Sequence, residues 1–179
     1  STLAPYYVDF FLKLAEQIDV DVYYMNPCRQ YWEYVFSEKE MARFAAEGVP
    51  EEAAGVDEGN RLLSSLGTAG REFFSFLLNR LGDAGEDLFS DPGGGDMLTA
   101  VQSDVLNLVD GDGQNRRTVA AEDASIQVHV CHSPIREVEV LHDRLMAILE
   151  SDAGVQPRDI VVMMPDVAGV ACHIIHGLT

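Results

Sequence analysis

Val128-His129-Val130-Cys131-His132-Ser133-Pro134-Ile135-Arg136-Glu137-Val138-Glu139-Val140-Leu141-His142-Asp143-Arg144-Leu145 is the stretch on which the reading of the fold turns. Its histidines and cysteine suggest a metal site, and its hydrophobic spacing suggests a strand running into a helix. Ile126, Val128 and Val130 alternate with Gln127, His129 and Cys131, the period of a half-buried strand. Ser133 then stands at an N-cap position, with Pro134 at the first helical position, where a missing N–H costs nothing. Glu137 and Glu139 sit near the positive end of the helix dipole. Ile135, Val138, Leu141, Leu145, Ile148 and Leu149 form one apolar stripe. Each such side chain contributes roughly 1.5–3 kcal/mol when buried, enough together to hold the helix on a sheet. Gly154 and Pro157 end the connection, and Asp159–Met164 reads as a continuous apolar strand. Strand, helix and strand across residues 126–164 predict a right-handed βαβ unit, and a further helix is expected from Asp166.

Upstream, residues 5–17 read as a helix, with Tyr6, Tyr7, Phe10, Leu14 and Ile18 at helical steps. Asp19–Met25 reads as a strand ended by Asn26-Pro27. Helical spacing covers residues 31–47 and 60–81, the second punctuated by Gly67 and Gly70. Asp96 is placed to cap a helix that carries Met97, Val101, Val105, Leu106 and Val109. Residues 48–59, 82–95 and 110–123 are polar, acidic connections. The pattern as a whole predicts an α/β fold with an all-helical insertion.

The 179 residues carry 30 acids against 12 bases, a formal net charge of −18. Such a surface repels nucleic-acid phosphates, so this stretch alone is not expected to bind DNA or RNA tightly. Ten of the bases are arginine, and Lys13 and Lys39 are the two lysines, a bias attributable to base composition. Cys28, Cys131 and Cys172 are odd in number and widely spaced, which fits a reducing cytoplasm better than a disulfide framework. No apolar run reaches membrane-spanning length, and both ends read as those of an internal piece of a longer chain.

The candidate metal set is His129, Cys131, His132, Cys172, His173 and His176, in which Cys172 and His176 share one helical face. Against it, His132 lies beyond the strand end, and no Cys-x2-Cys or His-Glu-x2-His spacing is present. A phosphate loop is not found: Gly93-Gly94-Gly95-Asp96 presents an acid, and Gly67–Arg71 does not follow a strand. Acid pairs such as Glu51 with Glu52, or Glu137 with Glu139, read as solvated faces. Ser133 beside His132 and His142 could suggest nucleophilic catalysis, but Ser133 is better explained as a cap. Cys28 next to Arg29 could be an activated thiol, although a buried small residue at a strand end explains it better.

Four motifs stand together: Asn26-Pro27-Cys28-Arg29-Gln30-Tyr31-Trp32; Gly59-Asn60-Arg61-Leu62-Leu63 with Gly67 and Gly70-Arg71-Glu72-Phe73; Val128–Leu145; and Pro157-Arg158-Asp159-Ile160-Val161-Val162-Met163. Their order and spacing resemble the gamma subunit of exodeoxyribonuclease V, the RecC family, across nearly the whole chain except the acidic loops. The resemblance implies an internal piece of a subunit of the bacterial RecBCD complex. That complex is an ATP-dependent helicase and exonuclease, a hydrolase that serves double-strand break repair and homologous recombination in the cytoplasm. It also implies a RecA-like fold, P-loop NTPase-like and of superfamily-1 helicase type, that has lost its ATP chemistry. Residues 1–25 would end the first helicase-like domain, 26–124 would form the helical linking region and 125–179 would start the second RecA-like domain. The whole subunit would split the duplex and scan for Chi. Its partners would be the beta and alpha subunits, with DNA contacted through the full-length subunit and no membrane. ATP and magnesium would belong to the partner subunits. No catalytic, cofactor-binding or metal residue is carried over to this chain. Two departures stand out: Leu66 and Val170 occupy positions where Trp and Tyr are common in the family. Pro165-Asp166 follows the last strand where active relatives carry Arg-Ser, which fits a domain without ATPase function. The competing readings are a small His/Cys zinc-dependent enzyme and a stand-alone α/β ligand-binding module.

Overall fold

The computed structural model describes residues 5–49, 59–82, 86–110, 117–151 and 154–164. Among them run six α-helices: α1 (Pro5–Leu14), α2 (Glu38–Ala46), α3 (Arg61–Leu66), α4 (Thr68–Leu81), α5 (Met97–Leu106) and α6 (Pro134–Ser151). A single 3-10 turn, Pro157–Asp159, follows α6. The chain divides into two compact units, Ser1–Ser125 and Ile126–Thr179.

The α/β expectation is overturned: no strand forms among the described residues. Residues 19–25, 126–130 and 160–164 lack regular secondary structure and do not pair into a sheet. The physical reason lies in what alternation encodes. Period-two spacing prepares one face for burial, but a strand exists only when its N–H and C=O groups meet a neighbouring strand. Without that ladder the apolar members of the pattern stay open: Val128 and Val130 are 83% and 95% exposed, and Val161 and Met163 are 79% and 89% exposed. The βαβ unit and the RecA-like sheet built on it are therefore absent from the described structure. In α6, Val138 is the buried member of the expected stripe, while Ile135, Leu141 and Ile148 remain exposed.

The helical expectations fare better. α1 matches the segment expected at 5–17, with a turn carrying the chain on to Gln17. Gly67 divides the second helical region into α3 and α4, as a glycine there can. A side chain at Gly67 would strike the Leu63 carbonyl oxygen and come within 3.0 Å of the Trp32 ring. Asp96 caps α5 by accepting the Thr99 N–H at 2.8 Å. Ser133 accepts the Arg136 N–H at 3.3 Å, in its expected place as a cap. Two boundaries differ. Residues 31–36 are not helical, and α2 starts only after Ser37. α5 stops at Leu106, and Leu108 turns the chain with φ 56°. The helix expected from Asp166 lies outside the described residues.

The core of the first unit gathers Cys28, Trp32, Val35 and Leu63, with Phe74, Val105 and Leu108 packed against it. Phe74 stacks on Trp32 at 6.0 Å and on Tyr24 at 5.8 Å between ring centres. Asn60 ties α3 to the chain beyond α5. Its Oδ1 accepts the Leu63 N–H at 3.0 Å, and its Nδ2 donates to the Val109 carbonyl at 2.8 Å. Asn60 is buried, so Asn60→Ala removes a helix cap and strands a carbonyl together. A loss of about 2 kcal/mol is expected, read as a lower urea midpoint at unchanged slope.

Candidate functional site

The most tightly built polar cluster surrounds Arg71, a charged side chain left only 5% exposed. α4 delivers it toward the segment that precedes α2. Its Nη1 donates to the Val35 carbonyl at 2.6 Å, and its two Nη nitrogens grip the two carboxylate oxygens of Glu40. The guanidinium lies over the Phe36 ring, 4.4 Å from its centre. Glu40 in turn closes a capping box with Ser37: it accepts the Ser37 N–H at 2.9 Å and hydroxyl at 2.8 Å, while its own N–H reaches the Ser37 Oγ at 3.4 Å. Burial pushes the Glu40 carboxyl up, but the Arg71 hydrogen bonds, the Ser37 donors and the Arg71 charge outweigh it. The result is a fall from the ordinary 4.5 to about 2. Both terminal nitrogens of this fork donate to acceptors of the protein itself, which ties α4 to the start of α2.

A second cluster centres on Asn26. Its Oδ1 accepts both the Trp32 indole N–H at 3.0 Å and the Cys28 N–H at 3.3 Å. The Tyr24 hydroxyl donates to the Gly70 carbonyl at 2.9 Å, and a Cβ at Gly70 would sit 3.6 Å from Trp32. The Asn26 and Gly59–Phe73 motifs thus supply much of one packed centre. A third cluster joins the Ser75 and Tyr31 hydroxyls to the Glu33 carboxylate, and these donors lower its pKa.

The sequence-level candidates scatter. Cys28 is fully buried, and burial pushes its thiol up despite nearby backbone donors and Arg29, the reverse of an activated nucleophile. Arg29 itself pairs with Asp91 at 2.6 Å. His129 and His132 are exposed and Cys131 is half-buried. Among the described residues no group of three or more His, Cys, Asp or Glu is arranged to hold a metal. Cys172, His173, His176, Pro165, Asp166 and Val170 lie outside the described residues, as do Glu51 and Glu52. His142 approaches Asp143 at 3.8 Å, and Glu139 pairs with Arg136 at 2.9 Å. Leu66 is largely exposed on α3.

The glycine-rich loop before α5 borders a cavity of about 480 Å³ lined by Gly93, Gly94, Gly95, Asp96, Thr99 and Arg117, among others. The donors of the helix end are already taken. Met97 N–H goes to Asp123 at 2.7 Å, Leu98 N–H to the Ser125 hydroxyl at 3.0 Å and Thr99 N–H to Asp96. Arg117 donates to the Ala100 carbonyl at 3.0 Å and pairs with Asp104. A phosphate would have to displace three acceptors, two of them carboxylates, so this loop is a poor anion cradle.

Eight of the nine described arginines are used alike, Arg144 being the exception. Arg29, Arg43, Arg61, Arg71, Arg80, Arg117, Arg136 and Arg158 each pair with a carboxylate of the chain itself. Neither the Arg71 fork nor the Asn26 and Asn60 hubs were singled out by the sequence as working residues. The Ser37–Glu40 spacing was the available signal for one of them.

Comparison with known proteins places these motifs. The family described as RecC, N-terminal domain, matches residues 1–108, more than half of the chain. The RecBCD enzyme subunit RecC of Escherichia coli strain K12 is 35% identical over 93% of this chain and 18% of its own length. The protein of the same name from Mycolicibacterium smegmatis is 32% identical over 95% of this chain and 15% of its own. That of Haemophilus influenzae is 26% identical over 90% and 17%. The chain spans less than a fifth of the length of these curated relatives. With a family match over most of its helical unit, and motifs that build the core of that unit, the chain belongs to the RecC family through its N-terminal domain.

Proposed function

We propose that this chain is a non-catalytic structural segment of a RecC-type subunit. In the full-length protein it would serve a RecBCD-type helicase–nuclease in double-strand break repair and recombination. The beta and alpha subunits would be its partners and would hold the ATP and magnesium. The complex would work in the cytoplasm; among the described residues no helix is long and apolar enough to cross a membrane. Duplex splitting and Chi scanning would belong to the whole subunit.

The observation that carries the reading, beside the family match, is where the polar groups are spent. The buried Arg71 and Asn60 close hydrogen bonds within the fold, and eight arginines hold the chain's own carboxylates. Phosphate-binding surfaces leave such cations open to neutralise the backbone. The purified 179-residue chain is therefore expected to bind duplex DNA no more tightly than non-specific binding, with a Kd above about 1 μM at physiological salt. It is also expected to turn over no ATP. Fluorescence anisotropy and phosphate release measure both; nanomolar binding or sustained ATP hydrolysis would overturn the proposal.

A further inference from the structure

Beyond α5 the chain passes from a fixed point in the core to the boundary of the first unit. Leu108 packs on the core, and the Val109 carbonyl is held by the buried Asn60. From Arg117 to Ser125, where the first unit ends, no residue is buried and none belongs to a helix. Two polar clasps fasten this segment to α5. At one end Arg117 donates to the Ala100 carbonyl at 3.0 Å and pairs with Asp104. At the other, one Asp123 oxygen accepts the Met97 N–H at 2.7 Å and the second accepts the Ser125 N–H at 2.8 Å. The Ser125 hydroxyl accepts the Leu98 N–H at 3.0 Å. The Ser125 and Met97 donors hold the Asp123 carboxyl below the usual carboxylate range, so this clasp closes on the ionised form. Met97 and Leu98 are among the N–H groups that a helix leaves without an internal acceptor, and the segment supplies theirs. Between the clasps, Thr118 and Val119 line the cavity that the glycine-rich loop borders.

We infer that residues 117–125 form a releasable strap, whose two clasps open together while the core stays folded. Opening uncovers the cavity and gives slack to the chain that enters the second unit. The energetics favour a local event. No strap residue is buried, so release exposes little apolar surface, and water replaces the hydrogen bonds that are lost. The packed centre around Trp32 has no such route, because opening it wets stacked aromatic rings. The clasps cooperate because they act on one short segment and one helix. With either closed, the other end is kept close to its partners, and undoing one weakens both. Freed, the strap's nine residues span up to about 30 Å. Release thus changes the length of the tether between the units without altering the fold of either.

Hydrogen exchange in the full-length subunit, read amide by amide, tests the strap. In the unsubstituted protein the Met97 and Leu98 amides are expected to share one protection factor. That factor should be at least about tenfold below that of the Arg71 amide, which donates to the Gly67 carbonyl at 2.8 Å beside the core. Asp123→Ala should speed Met97 and Leu98 by about tenfold and leave Arg71 unchanged. Asp123→Asn, which keeps one acceptor oxygen, should fall between. The deciding variant is Arg117→Ala at the far clasp. Joint opening requires that it too speeds Met97 and Leu98, by about fivefold or more. Rates at Met97 and Leu98 unmoved by Arg117→Ala would make the clasps independent and overturn the strap. Met97 and Leu98 as protected as Arg71 in the unsubstituted protein would also overturn it, since the segment would then open only with the core. If a variant speeds Arg71 equally, its core has loosened, and the comparison within the unsubstituted protein decides.

Discussion

Arg71→Ala is expected to destabilise the chain by about 3–5 kcal/mol, because it removes a buried guanidinium and leaves the half-buried Glu40 carboxylate without its cation. The geometry explains the size. Arg71 grips both oxygens of Glu40, donates to the Val35 carbonyl and lies on the Phe36 ring, so one truncation breaks an ion pair, a backbone tie and a cation–π contact. Arg71→Lys keeps the charge but loses the planar fork, so it should recover only part of the loss. The pH dependence supplies an independent signature. Glu40 falls from 4.5 to about 2 on folding, so its contribution is fully present above the unfolded value. That contribution is lost as pH falls through the folded value. Urea midpoints of the parent protein should therefore drop between about pH 5 and pH 2, and Arg71→Ala should flatten this part of the profile. An unchanged slope across that window in the variant would sink the argument.

Trp32→Ala should cost a similar amount, about 3–5 kcal/mol. The indole is almost completely buried, stacks on Phe74 and sits against Gly67 and Gly70, positions where an added Cβ would touch it. Truncation empties the centre of the cluster and removes the N–H that Asn26 accepts. Trp32→Phe fills more of the space but leaves that acceptor short of one donor, so it should fall between the two. Loss of near-ultraviolet ellipticity together with a lower urea midpoint reads the effect. A midpoint within about 0.5 kcal/mol of the parent, the range of an ordinary surface substitution, would show that Trp32 is not central.

These two residues show which parts of the fold can be read locally. Trp32 and Cys28 lie in one short motif, and the positions of Gly67 and Gly70 mark where chain must pass close to an aromatic ring. Asp96 and Ser133 are caps whose hydrogen bonds span three residues, so sequence carries them completely. The start of α2 is equally local: Ser37-Glu38-Lys39-Glu40 is a capping box, although apolar spacing from Tyr31 suggests an earlier start. Arg71 and Glu40 are different. They lie 31 residues apart, and nothing in the composition separates Arg71 from the other arginines. The strands fail for the same reason. Val128 and Val130 have the right spacing for one side of a sheet, but spacing cannot supply the neighbour that makes a ladder.

The central claim is that this segment supports a RecC-type subunit without contributing chemistry. It is tested most directly in the full-length subunit reconstituted with its beta and alpha partners, by ATP-dependent unwinding and degradation of duplex DNA. The triple variant His129→Ala, Cys131→Ala, His132→Ala is expected to assemble and to retain activity within about twofold, the scatter of ordinary surface changes. A complex that assembles normally with this variant yet loses unwinding or degradation would contradict the account.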